Sequence, residues 1–440
     1  MSEIPTIDVL EAIKPSNAGT GEEALAYRGL ATAVDMYAHT NEERSTSFWE
    51  AESGSLEEYS KARQLALEYF LRTSNKVVGS IETNRNLWAD RFTQATSELY
   101  GQPDATEVTR LIAKDYLELN QLRDKPSISQ YHVNFLIETY RPIIDGLNIN
   151  TETNGAEKEK TAIHEYGKAI LDKYKPLFGM VDDADKTEFN ATQLRELFGN
   201  ALGWLTDNDD PEWGDWKAVD SIDGTSLSVS TPNREIRVPS GREPASALDT
   251  KALIAHELLV HALRGKNGYK TEDKKLATGL VGYLDAEEGL GVLSEEAVNG
   301  KLPEKVYDRY LDIALALGIC DGTQRTRKQL FQISFARQLV QEQLNGTFNA
   351  DDQSTLKRKV WRHIDRIYRG GPGDDLGPRQ AIFTKDIAYY VGYKQMVIYL
   401  AQQLESGKTA TEVFLYLSQG KFDPNNPQHT ARLAAAQNRA

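Results

Sequence analysis

The sequence predicts a mainly α-helical chain with a small β-hairpin or sheet, an α+β protein, and three observations carry that expectation. Apolar residues recur at three- and four-residue steps through most of the 440 positions, the spacing of helices that bury one face. Only residues 226–238 alternate and turn as paired strands do. The 40% apolar and 26% charged fractions suit a globular protein with a sizeable core.

In chain order, a polar leader over residues 1–20 precedes a helical N-terminal region over residues 21–150, with amphipathic helices expected at 22–37, 55–80, 83–99 and 106–122. Their stripes, such as Tyr59, Leu65, Tyr69 and Phe70, are read as packing between helices. The polar residues 148–160, containing Thr-Glu-Thr-Asn-Gly, mark a boundary loop, and residues 151–440 form the second region. Helices are expected there at 162–177 and 190–205, with His164 an ordinary histidine because no second His follows four or five residues on. The acidic stretch 207–220 reads as a loop whose Trp213 and Trp216, with Trp204, are packing anchors. Ser226–Ser230 and Glu235–Val238, separated by Thr-Pro-Asn-Arg, are the strand pair, and an edge strand there could pair with an extended peptide or merely pack. A helix follows from Asp249, read as N-cap, to Arg264, stopped by Asn267-Gly268. Further helices are expected at 280–298, 323–344, 356–368, 382–405 and 409–417, with a Gly-Pro-rich loop at 370–378.

The formal net charge of −14 argues against nucleic acid and anionic membranes as partners, since phosphate contacts need clustered Lys and Arg. One cysteine, Cys320, excludes an intrachain disulfide and a cysteine-rich zinc site. With no apolar run of signal-peptide or membrane-spanning length, a cytoplasmic location is expected.

The chemistry concentrates in Ala255-His256-Glu257-Leu258-Leu259-Val260-His261 and in Ala286-Glu287-Glu288-Gly289-Leu290-Gly291. Two imidazoles and a carboxylate are a common ligand set for a catalytic zinc, and Glu257 stands beside the first His, where a metalloprotease keeps its general base. The spacing is unusual. Histidines four apart lie about 40° apart around a helix, but five apart they lie about 140° apart and point away from each other. A local π-bulge restores a common face; otherwise His261 is a helix-end histidine without a metal role. Among many acids Glu288 is favoured by its apolar surroundings and by Gly289, which lets a cofactor approach closely. Glu287 lies about 100° away, so one of the pair should ligate, and a solvated face remains the competing reading for both. Glu295, two turns past Glu288, could orient a ligand histidine from behind.

These residues, together with Arg264-Gly-Lys-Asn-Gly268, Gly282-Tyr-Leu-Asp-Ala-Glu-Glu-Gly-Leu-Gly291 and Phe383-Thr-Lys-Asp386, resemble the tyrosine/phenylalanine carboxypeptidase domain family. That family includes the microtubule-associated tyrosine carboxypeptidases of animals and bacterial proteins labelled by a Gln-Glu-Gly-Leu-Ala motif. The resemblance covers residues 226 onward, and Ala286 and Gly291 stand where Thr and Ala are common. It implies a zincin-like metallopeptidase core with a helical C-terminal part, a His-Glu-x-x-x-His motif in which His256, His261 and Glu288 bind one Zn²⁺ per chain, and Glu257 as the catalytic base. The expected reaction is hydrolysis of the last peptide bond of a peptide or protein ending in Tyr or Phe. A carboxypeptidase also needs a cation for the terminal carboxylate, for which Arg369 and Lys385 are the candidates, with Tyr283, Tyr389 and Tyr393 as possible oxyanion or specificity residues. Tubulin is not implied as a partner. An endo- or aminopeptidase, and a catalytically idle helical scaffold, are the alternatives.

Overall fold

A computed structural model describes residues 101–145, 156–182, 184, 187–222, 226–349, 353–368 and 380–437, with 89, 90, 93, 94, 96, 97 and 100 before them. The leader, the helices expected at 22–37 and 55–80, most of the boundary loop, the 370–378 loop and Arg369 lie outside the described residues. The chain is mainly helical with a few short strands, an α+β composition. No described helix is long and apolar enough to cross a membrane.

In chain order, α1 (Ala105–Gln121) begins at Asp104, whose side chain accepts from the Glu107 amide, and α2 (Gln130–Ile144) follows. Then come α3 (Ala156–Lys173), α4 (Lys175–Asp182) and α5 (Ala191–Asn208), the last opened by an Asn190/Gln193 capping box. Strand β1 (Glu188–Phe189) pairs antiparallel with β5 (Ala245–Ser246), and β2 (Lys217–Ser221), β3 (Ser228–Ser230) and β4 (Glu235–Pro239) form a sheet in the order β2-β4-β3. The expected hairpin is present, with Val229 opposite Ile236. The stretch expected as a loop is instead a 3-10 turn, Pro211–Asp215, capped by Asp210, and then β2, because β4 offers its second edge to β2 in parallel register. Trp213 and Trp216 pack there, both buried.

Next are α6 (Ala247–Leu253), the wide-wound segment Ile254–Ala262, and α7 (Leu263–Lys270), continuous through the histidine motif. Its N-cap is Ser246, not Asp249: the Ser246 hydroxyl accepts from the Asp249 amide and donates to the Asp249 carboxylate at 2.8 Å. Asn267-Gly268 does not stop it; the Asn267 amide is held on the Ser418 carbonyl, and the helix ends at Lys270. The helix expected from 280 begins instead at Leu284, as α9 (Leu284–Asn299), after a separate short α8 (Lys275–Thr278), since the amides of Leu280 and Lys421 bond to the carbonyls of Lys421 and Leu276 rather than along a helix. Then follow α10 (Glu304–Leu317), α11 (Arg327–Leu344, capping box Thr326/Gln329), α12 (Gln353–Ile367), α13 (Ile387–Glu405), α14 (Ala410–Leu417) and α15 (Pro427–Gln437), which the periodicity did not predict. Helix α13 starts at 387 and not 382 because Thr384 and Ile382 bond instead to Thr96 and Thr93.

Two compact units result, Met1–Glu152 with Tyr307–Ile387, and Thr153–Val306 with Ala388–Ala440. The division near 150 was expected. Residues 307–387, expected in the second region, belong with the first because α11 packs on α2 and polar bonds tie α10 to α11, α12 and α1. There Asp312, fully buried, accepts from Ser334 Oγ (2.5 Å), Arg337 Nη2 (2.7 Å) and His363 Nε2 (2.8 Å), and Tyr307 donates to Asp115 at 2.5 Å. The second unit holds the sheet, the histidine helix and α9.

Two predictions follow from this packing. A Cβ on Gly392 of α13 would sit 1.8 Å from the Asp285 carbonyl oxygen of α9, and one on Gly289 would sit 2.0 Å from the Gly392 carbonyl carbon. Backbone meets backbone and neither can yield, so Gly392→Ala should cost about 3 kcal/mol or more and lower the melting midpoint by on the order of 10 °C; a variant that melts with the wild type would contradict this crossing. In the first unit, burial lifts Asp115 from 3.8 to about 6, with Tyr307 and Arg337 pulling the other way. A raised folded pKa favours the native state at low pH and loses that contribution as pH rises through 6. Asp115→Asn should therefore stabilise the protein at about pH 7.5, and thermal melts should show the gain vanish by about pH 4.

Candidate metal centre

From Ile254 to Ala262 the backbone is a π-helix, with the Leu263 amide reaching back five residues to the Leu258 carbonyl. The wide winding brings His256 and His261 onto one face, with ring centroids 4.8 Å apart. Both rings are nearly buried, 6% and 9% exposed. Glu257 is half-buried and is the one residue of the segment not fully buried.

Helix α9 packs along this segment. Glu288 places Oε2 3.7 Å from His256 Nε2 and 3.8 Å from His261 Nε2. The three donor atoms lie within 4.8 Å of one another. The ring nitrogens pointing away are occupied: His256 Nδ1 meets Glu295 Oε1 at 2.6 Å, and His261 Nδ1 meets Glu287 Oε1 at 2.8 Å. That fixes which nitrogen of each ring is left for a ligand. Zinc bonds of about 2.0–2.1 Å imply donor separations of about 3.4 Å in a tetrahedron, so Glu288 would close on each histidine by a few tenths of an ångström, and the widest pair of the set, at up to 4.8 Å, by more. The residues present fit a zinc ion.

Glu287 is not on a solvated face and does not point at the Nε2 atoms. It is 2% exposed and bound by Arg264 Nη1, by Lys421 Nζ at 3.1 Å and by His261. Burial raises the pKa of its carboxyl, but Lys421, Arg264 and His261 outweigh it and hold the carboxyl far below its usual range. Arg264, 1% exposed, spends its other nitrogens on the carbonyls of Gly420 (2.8 Å) and Phe422 (2.6 Å). Glu295 likewise overcomes burial through His256 and Lys305, whose Nζ is 3.2 Å away, and falls to about 2. For His256, burial opposes the charged ring, yet Glu288, Glu295 and Glu257 lift it to about 10. The pocket between the carboxylates therefore favours positive charge.

Gly289, expected to admit a cofactor, instead makes the crossing with Gly392; it is Gly291 that faces the site, where a Cβ would come 2.5 Å from the His256 ring. Tyr283 precedes α9 with its ring over Gly279, and Tyr393 is bonded to Glu296. Lys385 is half-buried in the first unit, between Thr384 and Asp386. The structure thus brings together His256, His261, Glu288, Glu257 and Glu295. Sequence reading overlooked Glu287 as a histidine partner, and Arg264 and Lys421 behind it. Arg264 lies one turn past His261, a signal that was present; Lys421, 134 positions beyond Glu287 in the sequence, gave none.

Set against protein-family models, curated proteins and solved structures, the chain matches none of them.

The two members of the acid pair should respond differently to truncation. In chelator, Glu287→Ala leaves Arg264 buried without its anion and should cost about 3–5 kcal/mol in urea denaturation. Glu288→Ala should cost much less. Equal losses would mean that Glu287 carries no more of the fold than Glu288.

Proposed function

We propose that the chain is a zinc metallopeptidase of carboxypeptidase type, a zincin-like member of the tyrosine/phenylalanine carboxypeptidase domain family, which removes a C-terminal Tyr or Phe from a peptide or protein. The observation that carries this reading is the convergence of His256 Nε2, His261 Nε2 and Glu288 Oε2 while both Nδ1 atoms are engaged by carboxylates. One zinc held by these three residues would supply a Lewis acid for the scissile carbonyl and for the activation of water. Glu257 accepts the proton of the attacking water and returns it to the leaving amine. Its half-exposed position, next in the chain to a ligand and otherwise among buried residues, lets it reach water without leaving the site. Glu295 and Glu287 hold the two rings in orientation. The preference for Tyr or Phe rests on the resemblance of the motifs. A cytoplasmic location agrees with a single cysteine, and the partner is a peptide or protein C-terminus rather than nucleic acid or membrane, with nothing that singles out tubulin.

Elemental analysis of freshly purified protein should find one zinc per chain, lost in His261→Ala. A peptide ending in free Tyr or Phe should be hydrolysed and its amidated twin spared. Glu257→Ala should keep the metal and lose about 10²- to 10⁴-fold in kcat. Cleavage of both peptides would point to an endopeptidase, and wild type without metal or hydrolysis would leave a scaffold and sink the proposal.

A further inference from the structure

A carboxypeptidase must hold the terminal carboxylate one residue from the bond it cuts, a distance of about 3.8 Å along the chain. The cation that does so stands close to the group that handles the proton. Arg242 meets that requirement. Strand β4, paired on both sides, ends at Pro239; the turn that follows is closed by the Arg242 amide on the Pro239 carbonyl at 3.1 Å, and the Ser240 amide is held by the Ser221 carbonyl of β2. Both β3 and β4 lie against the wide-wound segment. From this turn the Arg242 guanidinium feels the charges of Glu257 and of Asp249.

It forms an ion pair with neither. Its Nε is buried and has no hydrogen-bond partner, and burial, the largest influence on the group, works against its charge. Asp249 is already engaged by Ser246. Among the described residues of this unit, the buried arginine and lysines are all matched: Arg264 and Lys421 by Glu287, Lys266 by Asp210. Arg242 is thus a half-buried arginine whose buried Nε has no hydrogen-bond partner and whose charge is felt by the proposed base, and the planar fork of Arg suits a carboxylate accepting from two nitrogens at once.

We propose that Arg242 is the residue that binds the substrate's terminal carboxylate and so makes the site an exopeptidase. The inference rests on the carboxypeptidase reading for its meaning, but its test does not. The purified metal-loaded protein is titrated calorimetrically with 3-phenylpropionate and with 3-phenylpropionamide, which differ only in the charge and shape of the terminal group. Wild type should prefer the carboxylate by about tenfold or more, as a charge-assisted paired hydrogen bond requires. Arg242→Gln should bring the two ligands to within about twofold of each other with zinc content unchanged, and Arg242→Lys should restore part of the preference. The neighbours Ser240, Gly241, Glu243 and Pro244 are exposed, so the turn should accept both changes, and circular dichroism checks the fold. In wild type, an Nε–H signal assigned to Arg242 should move with the carboxylate and not with the amide. Full preference retained in Arg242→Gln, or none in wild type, overturns the assignment. Absence of peptide hydrolysis with the Arg242-dependent preference intact would instead refute the peptidase reading alone.

Discussion

Two imidazoles five residues apart face a common point only if the helix between them is wound wider than an α-helix, and the whole site depends on that winding. A run of i to i+5 bonds is rare in proteins because its geometry is poorer, so it needs support from outside the helix. Here the support is side-chain hydrogen bonding. Glu295 grips His256 and Glu287 grips His261, each through the nitrogen that points away from the site. Relaxing the segment to an α-helix would rotate one ring away and strand a buried carboxylate, which is costly. The π-helix and the two carboxylates therefore hold one another in place.

The glycines of the Glu-Gly-Leu-Gly stretch explain how α9 comes close enough to do this. Gly289 abuts Gly392 with no room for a side chain, which draws the helix down on α13, and Gly291, on the side of His256, leaves space for the ring. Leu290, Val292 and Leu293 are all buried. One four-residue stretch thus supplies a ligand, a helix crossing and the room for a second ligand.

Much of this was legible in the sequence and some was not, for physical reasons. The five-residue spacing of His256 and His261 left two readings, a π-bulge or a helix-end histidine, and the downstream Glu-Glu-Gly-Leu with its resemblance favoured the wide winding that the segment has. The β3–β4 hairpin was marked by its own turn residues. By contrast β2 is a strand only because β4 has an edge to offer it in parallel, a tertiary condition that local residues do not express. The helix start at Ser246 was missed because both Ser and Asp make good caps, and only the mutual bonds of Ser246 and Asp249 decide between them. Gly289 was understood as small, correctly, but what it makes room for is a backbone more than a hundred positions away. Arg242 carries no motif; its interest comes from lacking a partner, which only a folded chain can show.

Glu287, Glu288 and Glu295 show how environment divides labour among identical side chains on one helix. Glu287 sits among Arg264 and Lys421, so its charge is neutralised by the protein and it serves to orient His261. Glu295 has Lys305 and His256. Glu288 instead approaches both Nε2 atoms, so that the negative potential of the cluster is concentrated where two neutral nitrogen donors would also point. Arg242 aside, four carboxylates, Glu257 included, face three cations, Arg264, Lys305 and Lys421, a surplus of one negative charge, and Glu288, Glu295 and Glu257 hold the pKa of His256 well above its ordinary value. A divalent ion would meet the same demand with three donors already aimed at it. The same surplus would repel an anionic substrate terminus, and the overall charge of −14 gives no help at this range, since solvent screens charges more than about 10 Å away. Binding a carboxylate beside Glu257 therefore requires a local cation whose charge has not already been spent on the fold.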